Sequence, residues 1–472
     1  MRFSLKAILI VFVLMQFNAT AQNLQDSAQN NTSVTIGNIY ITGNNRTREE
    51  IIIRELDFEE GDVYQKNDLL ETITLVQQKL TNTRLFVTVE VVPLTISADD
   101  VDILIRLQER WYIFPIPIFR LADRNFTEWW VNQKRDFSRV NWGAQLDHMN
   151  LTGRNDRLSA RLQFGFTKNV ALKYSVPYIN KSQKLGLSFG VSYSTNKTVG
   201  ITSDGHRQVF YQSEDVARKS FSTNISLIYR PSFYTRHTFD VGYNRLKIQD
   251  SVAIINPSYL SDGNTIQNYF RFSYLFSVDK RDFIAYPLTG SLFRLTANQF
   301  GLGIFDDLSM TTARIGYGKY FKIGQKFFQA NRIETYKNFS NQIPYVLRAG
   351  FGYRPNFIRG YERYVVESDM LISYRTALKF QFLEGILGLN EKSVIPQFRT
   401  VPYAFYLKTF IDVGYSGDSL LNTENNFYNN ELIGSIGIGL DIVTYYDFVM
   451  RLEYSINREG NTGFYFNFRT AL

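Results

Sequence analysis

The side chains able to do covalent or metal chemistry are few and scattered. The three histidines, His148, His206 and His237, lie far apart with no metal-ligand spacing around them, and there is no cysteine to serve as thiolate, disulfide or zinc ligand. No G-x-S-x-G stretch and no paired serine and histidine spacing marks a nucleophile with its base. The chain therefore reads as no enzyme, with no metal and no cofactor implied. Charge is more informative. Lys and Arg number 52 against 44 Asp and Glu, a net charge of +8. The basic residues are spread singly through alternating segments, which argues against a nucleic-acid partner and fits a charged barrel lumen and charged loops. Aromatics make up 15% of the chain, with 39 Phe and 30 Tyr but 4 Trp and 11 Pro. That mix favours strands and suits membrane–water interfaces, where one end of a tyrosine ring is wet and the other apolar.

The elements that carry these residues follow from periodicity. From Trp111 onward no helical period is visible, only segments of about ten residues in which one face is apolar and the other small, polar or charged. Leu158, Ala160, Leu162, Phe164 and Phe166 oppose Ser159, Arg161, Gln163, Gly165 and Thr167; Ile436, Ile438, Leu440 and Ile442 oppose Ser435, Gly437, Gly439 and Asp441. A soluble sandwich also alternates, but its strands are usually about 5–6 residues, whereas a tilted strand needs about 9–11 to cross a bilayer. Backbone groups in lipid have no water to bond, so such a sheet must close. The alternation predicts a 16-stranded antiparallel transmembrane β-barrel, with strands starting near residues 111, 138, 157, 169, 184, 220, 236, 267, 289, 309, 326, 369, 403, 432, 446 and 463. Short turns (153–156, 180–183) alternate with long polar loops (196–219, 249–266, 339–368, 416–431), the asymmetry expected between periplasmic and outer connections. An even count puts both ends of the barrel on the periplasmic side.

Ahead of the barrel the chain changes character. Residues 1–21, with basic Arg2 and Lys6, an apolar run from Ala7 to Phe17 and the small-x-small triplet Ala19-Thr20-Ala21, read as a cleaved export signal. Eleven apolar residues at about 1.5 Å each span only about half of a hydrocarbon core of about 30 Å. Residues 22–33 read as a flexible polar leader. A small α+β unit at 34–108 follows, in the order β-α-α-β-β. Its parts are a strand over 34–41, a helix from the N-cap Thr47 with Glu50 at capping-box spacing to Leu56, a helix from Gln65 or Asn67, and strands at 86–92 and 101–107. Leu69, Leu70, Ile73, Val76 and Leu80 form the buried stripe of the second helix.

Several motifs carry a resemblance. Asn150-Leu151-Thr152-Gly153-Arg154-Asn155-Asp156 forms an early turn, and Pro177-Tyr178 closes the strand after it. Asp279-Lys280-Arg281-Asp282 is followed by Pro287-Leu288-Thr289-Gly290, and Ile358-Arg359-Gly360-Tyr361 lies in the longest late loop. With these elements in this order, the chain resembles the BamA/TamA superfamily of outer-membrane assembly and translocation proteins. The unit at 34–108 is similar to one POTRA domain, and residues 109–472 to the family's barrel. The matching turn and hairpin residues are Gly153, Asp156, Asp279, Arg281, Asp282, Pro287 and Gly290. The resemblance implies that the loop bearing Arg359, Gly360 and Tyr361 folds back into the lumen, where the arginine pairs with acidic residues. A guanidinium keeps its charge and offers five donors in a fixed fork. Asp412 matches one acidic partner; the second family position reads Ser373-Tyr374-Arg375 here, leaving Glu367 or Asp369 to take its place. The last strand, 463–472, resembles the C-terminal assembly signal of barrels, with Leu472 where an aromatic is usual, and Gly460 and Gly463 would loosen the seam between first and last strands.

The function this implies is assistance to insertion or translocation of client proteins at the outer membrane, with the POTRA-like unit in the periplasm. The expected partners are unfolded outer-membrane or secreted clients, periplasmic or lipoprotein accessory subunits, and outer-membrane lipids. A single POTRA-like unit points to an accessory or specialised member. The alternatives are a dedicated export pore for one passenger protein and a structural barrel that anchors the envelope.

Overall fold

The structure is a computed structural model that describes residues 33–468 apart from 98, 123–128, 131–132, 181, 306–307, 354–355, 389–399, 418–426 and 445–447. The export signal, the leader as far as residue 32 and Leu472 lie outside the described residues.

The N-terminal unit contains strand β1 (Ser33–Thr42), helix α1 (Glu49–Ile53), β2 (Val63–Gln65), helix α2 (Lys66–Asn82), β3 (Phe86–Thr95) and β4 (Asp100–Glu109). The strands lie in the order β2-β1-β4-β3, with β1 and β4 parallel and the other pairs antiparallel. Leu69, Ile73, Val76 and Leu80 of α2 pack on Ile36, Ile103 and Ile105 of the sheet. Leu70, expected on that stripe, is exposed. It sits about 100° around the helix from Leu69, off the 69-73-76-80 row. Thr47 does not cap α1. Arg48 holds the N-cap position without a side-chain bond, because the Thr47 hydroxyl donates to Glu109 (2.6 Å) and is bonded by Asn150 (2.9 Å). The threonine is spent on the joint with the barrel, and the helix is correspondingly short.

The rest of the chain is mostly one sheet. Its first half comprises β5 (Ile113–Leu121), β6 (Val140–Met149), β7 (Arg157–Gly165), β8 (Thr167–Val176) and β9 (Leu185–Asn196). A hairpin of β10 (Thr198–Asp204) and β11 (Arg207–Gln212) interrupts it before β12 (Arg218–Tyr229) and β13 (Thr235–Ile248). Helix α3 (Asp250–Ile255) precedes β14 (Ile266–Asp279), β15 (Gly290–Phe300), β16 (Met310–Lys322) and β17 (Phe327–Asn338). A two-stranded ribbon, β18 (Ala349–Phe351) with β19 (Val366–Ser368), frames the longest loop. The sheet is completed by β20 (Met370–Gly388), β21 (Thr400–Gly417), β22 (Leu432–Thr444), β23 (Phe448–Asn457) and β24 (Thr462–Phe468). Sixteen of these strands pair antiparallel in sequence order, from β5 at one edge to β24 at the other. Among the described residues no ladder joins those two edges.

Alternation sets which face is which. Ile436, Ile438, Tyr454 and Phe464 stand exposed on the outside, while Ser435, Asp441, Glu453 and Ser455 are buried inside. Apolar side chains outward and polar ones inward is the reverse of a soluble sheet, and only lipid makes that arrangement favourable. Among the described residues no helix is long and apolar enough to cross a membrane.

The segment 196–219, expected as a loop, instead contains the β10–β11 hairpin. Its Val199 and Ile201 pack with Val252 and Ala253 of α3 and with Tyr259 and Tyr345. At its tip His206 is fully buried. The Tyr428 backbone N–H donates to Nε2 (2.9 Å), so the ring proton sits on Nδ1, which faces the Val365 carbonyl at 3.2 Å. Burial holds the His206 pKa below its ordinary 6.5, with the Val365 carbonyl opposing in part. A second ring proton would face the Tyr428 N–H, so the contact is made by the neutral imidazole. Its stabilisation is present above the unfolded pKa of about 6.5 and is lost as pH falls through the lower folded value. Acidification is therefore expected to release the hairpin, measured as faster proteolysis between residues 198 and 212. The acid response should vanish in His206→Phe; an acid-insensitive wild-type hairpin would contradict this.

Candidate functional site

The longest late loop enters the barrel and places Arg359 against two strands, β21 and β23. Arg359 donates from Nε and Nη2 to the two carboxylate oxygens of Asp412 on β21 (2.8 and 2.5 Å), and its backbone N–H donates to the same group (3.1 Å). Nη1 donates to Glu453 on β23 (3.0 Å), and the guanidinium lies 3.7 Å above the Phe410 ring. The flat fork matches a carboxylate edge and its face matches an aromatic, a combination no lysine could reproduce. Gly360 follows at φ +85°, where a Cβ would come within 3.1 Å of Ser435 and 3.4 Å of Asn457. Both the left-handed backbone and the close approach to the wall require glycine there. Tyr361 is buried against Tyr428, and its hydroxyl donates to Glu459 (2.8 Å) in the β23–β24 turn.

The second acidic partner is thus Glu453. Glu367 accepts from Tyr353 (2.8 Å) and lies 3.6 Å from Arg348, while Asp369 pairs with Lys337 (2.5 Å). Both expected substitutes are occupied elsewhere. Gly460 lies in the β23–β24 turn at φ +84°, and Gly463 lies in β24 beneath the Tyr465 ring.

The other motif residues lie at the opposite end of the barrel, against the N-terminal unit. Gly153 adopts φ +82° with its Cα facing the Arg46 carbonyl; a Cβ would come within 2.4 Å of that oxygen. Its own carbonyl accepts the Arg48 N–H (3.0 Å). Asp156 is buried, accepting from Thr152 N–H (2.8 Å) and the Tyr174 hydroxyl (2.9 Å), which fixes the turn. In the second motif Asp279 binds Arg281 through two donors (2.7 and 2.6 Å). Asp282 accepts the backbone N–H groups of Phe283 and Leu288 (2.8 and 3.1 Å), and Gly290 at φ +94° lets the hairpin close on Lys280. The Asp282 carbonyl accepts Asn82 of α2 (3.0 Å), so this turn also touches the N-terminal unit.

The two centres are not separate. The 280–290 turn pushes Tyr286 up into the lumen, where it is buried and donates to Asp441 (2.8 Å). Lys408 bridges Asp441 (2.5 Å) and Glu453 (2.9 Å), and Glu453 returns to Arg359. Lys379 lies 3.9 Å from the Tyr286 ring and donates to the Pro287 carbonyl (3.2 Å). A continuous buried row of charges therefore runs from the turn touching α2 to the lumen loop. Such a row holds elements in register and has no nucleophile to do chemistry. Glu453, Lys408, Asp441 and Tyr286 were not singled out by sequence; inward parity on the strands marks the first three, but their heights along the wall are set by register alone.

Comparisons with known proteins agree with this geometry. A family model described as the Omp85 superfamily domain matches residues 150–370, and a POTRA model described as a surface antigen variable number repeat matches residues 34–110. No curated protein matches the sequence. Among solved structures the fold is similar to BamA from Haemophilus ducreyi lacking POTRA domains 1-3. That likeness has 15% identity, covers 92% of this chain and 83% of that one, and has a TM-score of 0.51. The fold is also similar to CdiB from Escherichia coli, at 10% identity over 93% of this chain and 76% of that one, with a TM-score of 0.53.

Proposed function

The chain belongs to the Omp85 superfamily, and from that premise we propose that it assists the insertion or translocation of client proteins at the outer membrane without enzymatic chemistry. One observation supports this most: β5 and β24 end the sheet without a ladder between them among the described residues. An orphaned backbone group in lipid costs several kcal/mol, so a client strand that pairs with an open edge is strongly favoured. The unit below offers a second edge, because β3 pairs with β4 alone in its sheet. A client segment or an accessory subunit adding to β3 would gain backbone hydrogen bonds without needing one particular sequence. The short turns lie on the side of the N-terminal unit, which supports placing that unit in the periplasm.

The lumen is crossed by the Arg359 loop from one end and by Tyr286 from the other, so the seam is the simpler route for a client than the pore. Depletion tests the reading. Folded outer-membrane proteins are expected to fall in amount; unchanged levels would remove the insertion reading. A loss confined to one secreted protein would instead identify an export pore, and no loss of any would leave an anchoring barrel.

A further inference from the structure

At the end of the barrel opposite the N-terminal unit, a cavity of about 310 Å³ lies against the β10–β11 hairpin. Its walls come from places distant in sequence: the ends of β9 and β12, the hairpin itself, and the longest late loop. Three arginines line it, Arg139, Arg218 and Arg348, and among the described residues no carboxylate does. Arg139 is set in place by Phe210 and Phe166, whose ring centres lie 4.4 and 4.9 Å from its guanidinium carbon.

The charges of the other two are incompletely answered. Arg218, at the start of β12, donates from its Nη atoms to the Asn196 side-chain carbonyl (3.0 Å) and the Tyr259 hydroxyl (3.3 Å), both neutral. Its Nε is buried and meets no acceptor among the described residues. Arg348, in the long loop, stands 3.6 Å from Glu367, an ion pair too long to be a hydrogen bond. Glu367 accepts the Tyr353 hydroxyl (2.8 Å) and does not itself line the cavity, so it orients Arg348 without filling the space. Tyr259, only 1% exposed, accepts from Arg218 and donates to nothing among the described residues, which leaves its proton for a ligand oxygen. A guanidinium drawn out of water without a counter-charge is costly, so such a cavity favours an anion.

Shape narrows the anion. A planar carboxylate presents one edge, which a single arginine fills. A phosphate presents oxygens in several directions and carries about −1.5 to −2 at pH 7, matching guanidinium groups supplied by both wall and loop. The volume stands at the lower end of small-molecule sites, about 300–1,000 Å³, and exceeds what a bare phosphate needs. The remaining lining mixes the Tyr345 ring with the Gln208 amide and the Thr198 hydroxyl, a surface suited to a sugar.

We propose that this cavity binds a phosphorylated sugar, with Arg218, Arg348 and the Tyr259 hydroxyl holding the phosphate and so tying the long loop to the barrel wall. The same chemistry occurs on the headgroup of a phosphorylated glycolipid and on a free sugar phosphate. The site is separate from the seam and does not depend on how clients are engaged.

Calorimetric titration of the full chain in phosphatidylcholine nanodiscs tests this, with glucose 6-phosphate as the probe. Saturable binding is expected, with inorganic phosphate at least about threefold weaker and glucose without effect. Arg218→Gln and Arg348→Gln should each weaken glucose 6-phosphate at least about tenfold. Tyr259→Phe, which removes one oxygen and keeps the ring, should weaken it at least about threefold and keeps the test decisive should an arginine variant fail to fold. Arg245→Gln, an exposed arginine near the same end of β13, should stay within about twofold of wild type. Nanodiscs containing lipid A identify the source: competition with glucose 6-phosphate would assign the site to the glycolipid headgroup, and unchanged affinity to a free sugar phosphate. No binding to wild type, or binding that all three site variants leave intact, would overturn the proposal. Equal affinity for inorganic phosphate and glucose 6-phosphate would overturn its sugar part.

Discussion

Replacing Arg359 with alanine is expected to lower the stability of the folded barrel by about 3–5 kcal/mol and to free the lumen loop. Asp412 is fully buried and takes three of its hydrogen bonds from this one residue. Without the guanidinium its charge has no partner that Lys408, engaged with Asp441 and Glu453, could replace. Removing one member of a buried pair costs far more than the pair itself contributes, since the remaining ion stays desolvated. The expected readout is a lower urea midpoint at unchanged slope, together with a larger or noisier single-channel conductance. Arg359→Lys should recover little, because an ammonium cannot bind both carboxylate oxygens and stack on Phe410 at once. A midpoint and conductance equal to wild type in Arg359→Ala would make the arginine incidental to the loop.

The second large effect is expected at the joint beneath. Arg230, in the turn between β12 and β13, donates to both oxygens of Glu55 (2.9 and 3.2 Å) and to the Tyr178 hydroxyl (3.0 Å). Glu55 belongs to the N-terminal unit and is only 2% exposed. Arg230→Ala leaves that carboxylate in a dry interface, at a cost of about 3 kcal/mol, and the N-terminal unit should swing away to rehydrate it. The chain has no cysteine, so spin labels on one introduced cysteine in α2 and one in a barrel turn report the angle directly. A narrow distance distribution in wild type should broaden in Arg230→Ala. An unchanged distribution would mean that the remaining contacts, among them Asn82–Asp282, Thr47–Asn150 and Arg48–Gly153, hold the joint without Arg230.

Much of the barrel is legible in sequence because its signal is local. Each strand repeats the period-two rule within itself, and the sixteen sheet strands begin within about three residues of where alternation places them. What sequence leaves out is non-local. Thr47 has the spacing of a helix cap, but Glu109 and Asn150, distant in sequence, claim its hydroxyl. Glu453 has the parity of a lumen residue, yet its height beside Arg359 depends on the accumulated register of β21, β22 and β23. The β10–β11 hairpin alternates only briefly, and its fold is decided by burial against α3.

On the proposed function, clients engage this barrel through a seam between β5 and β24 that parts and closes. A disulfide between cysteines introduced on those two strands tests it most directly, with the reduced form of the same protein as its own control. Locked protein is expected to lose its ability to support folded outer-membrane protein levels and to regain it on reduction. Full activity of the locked barrel would contradict the account.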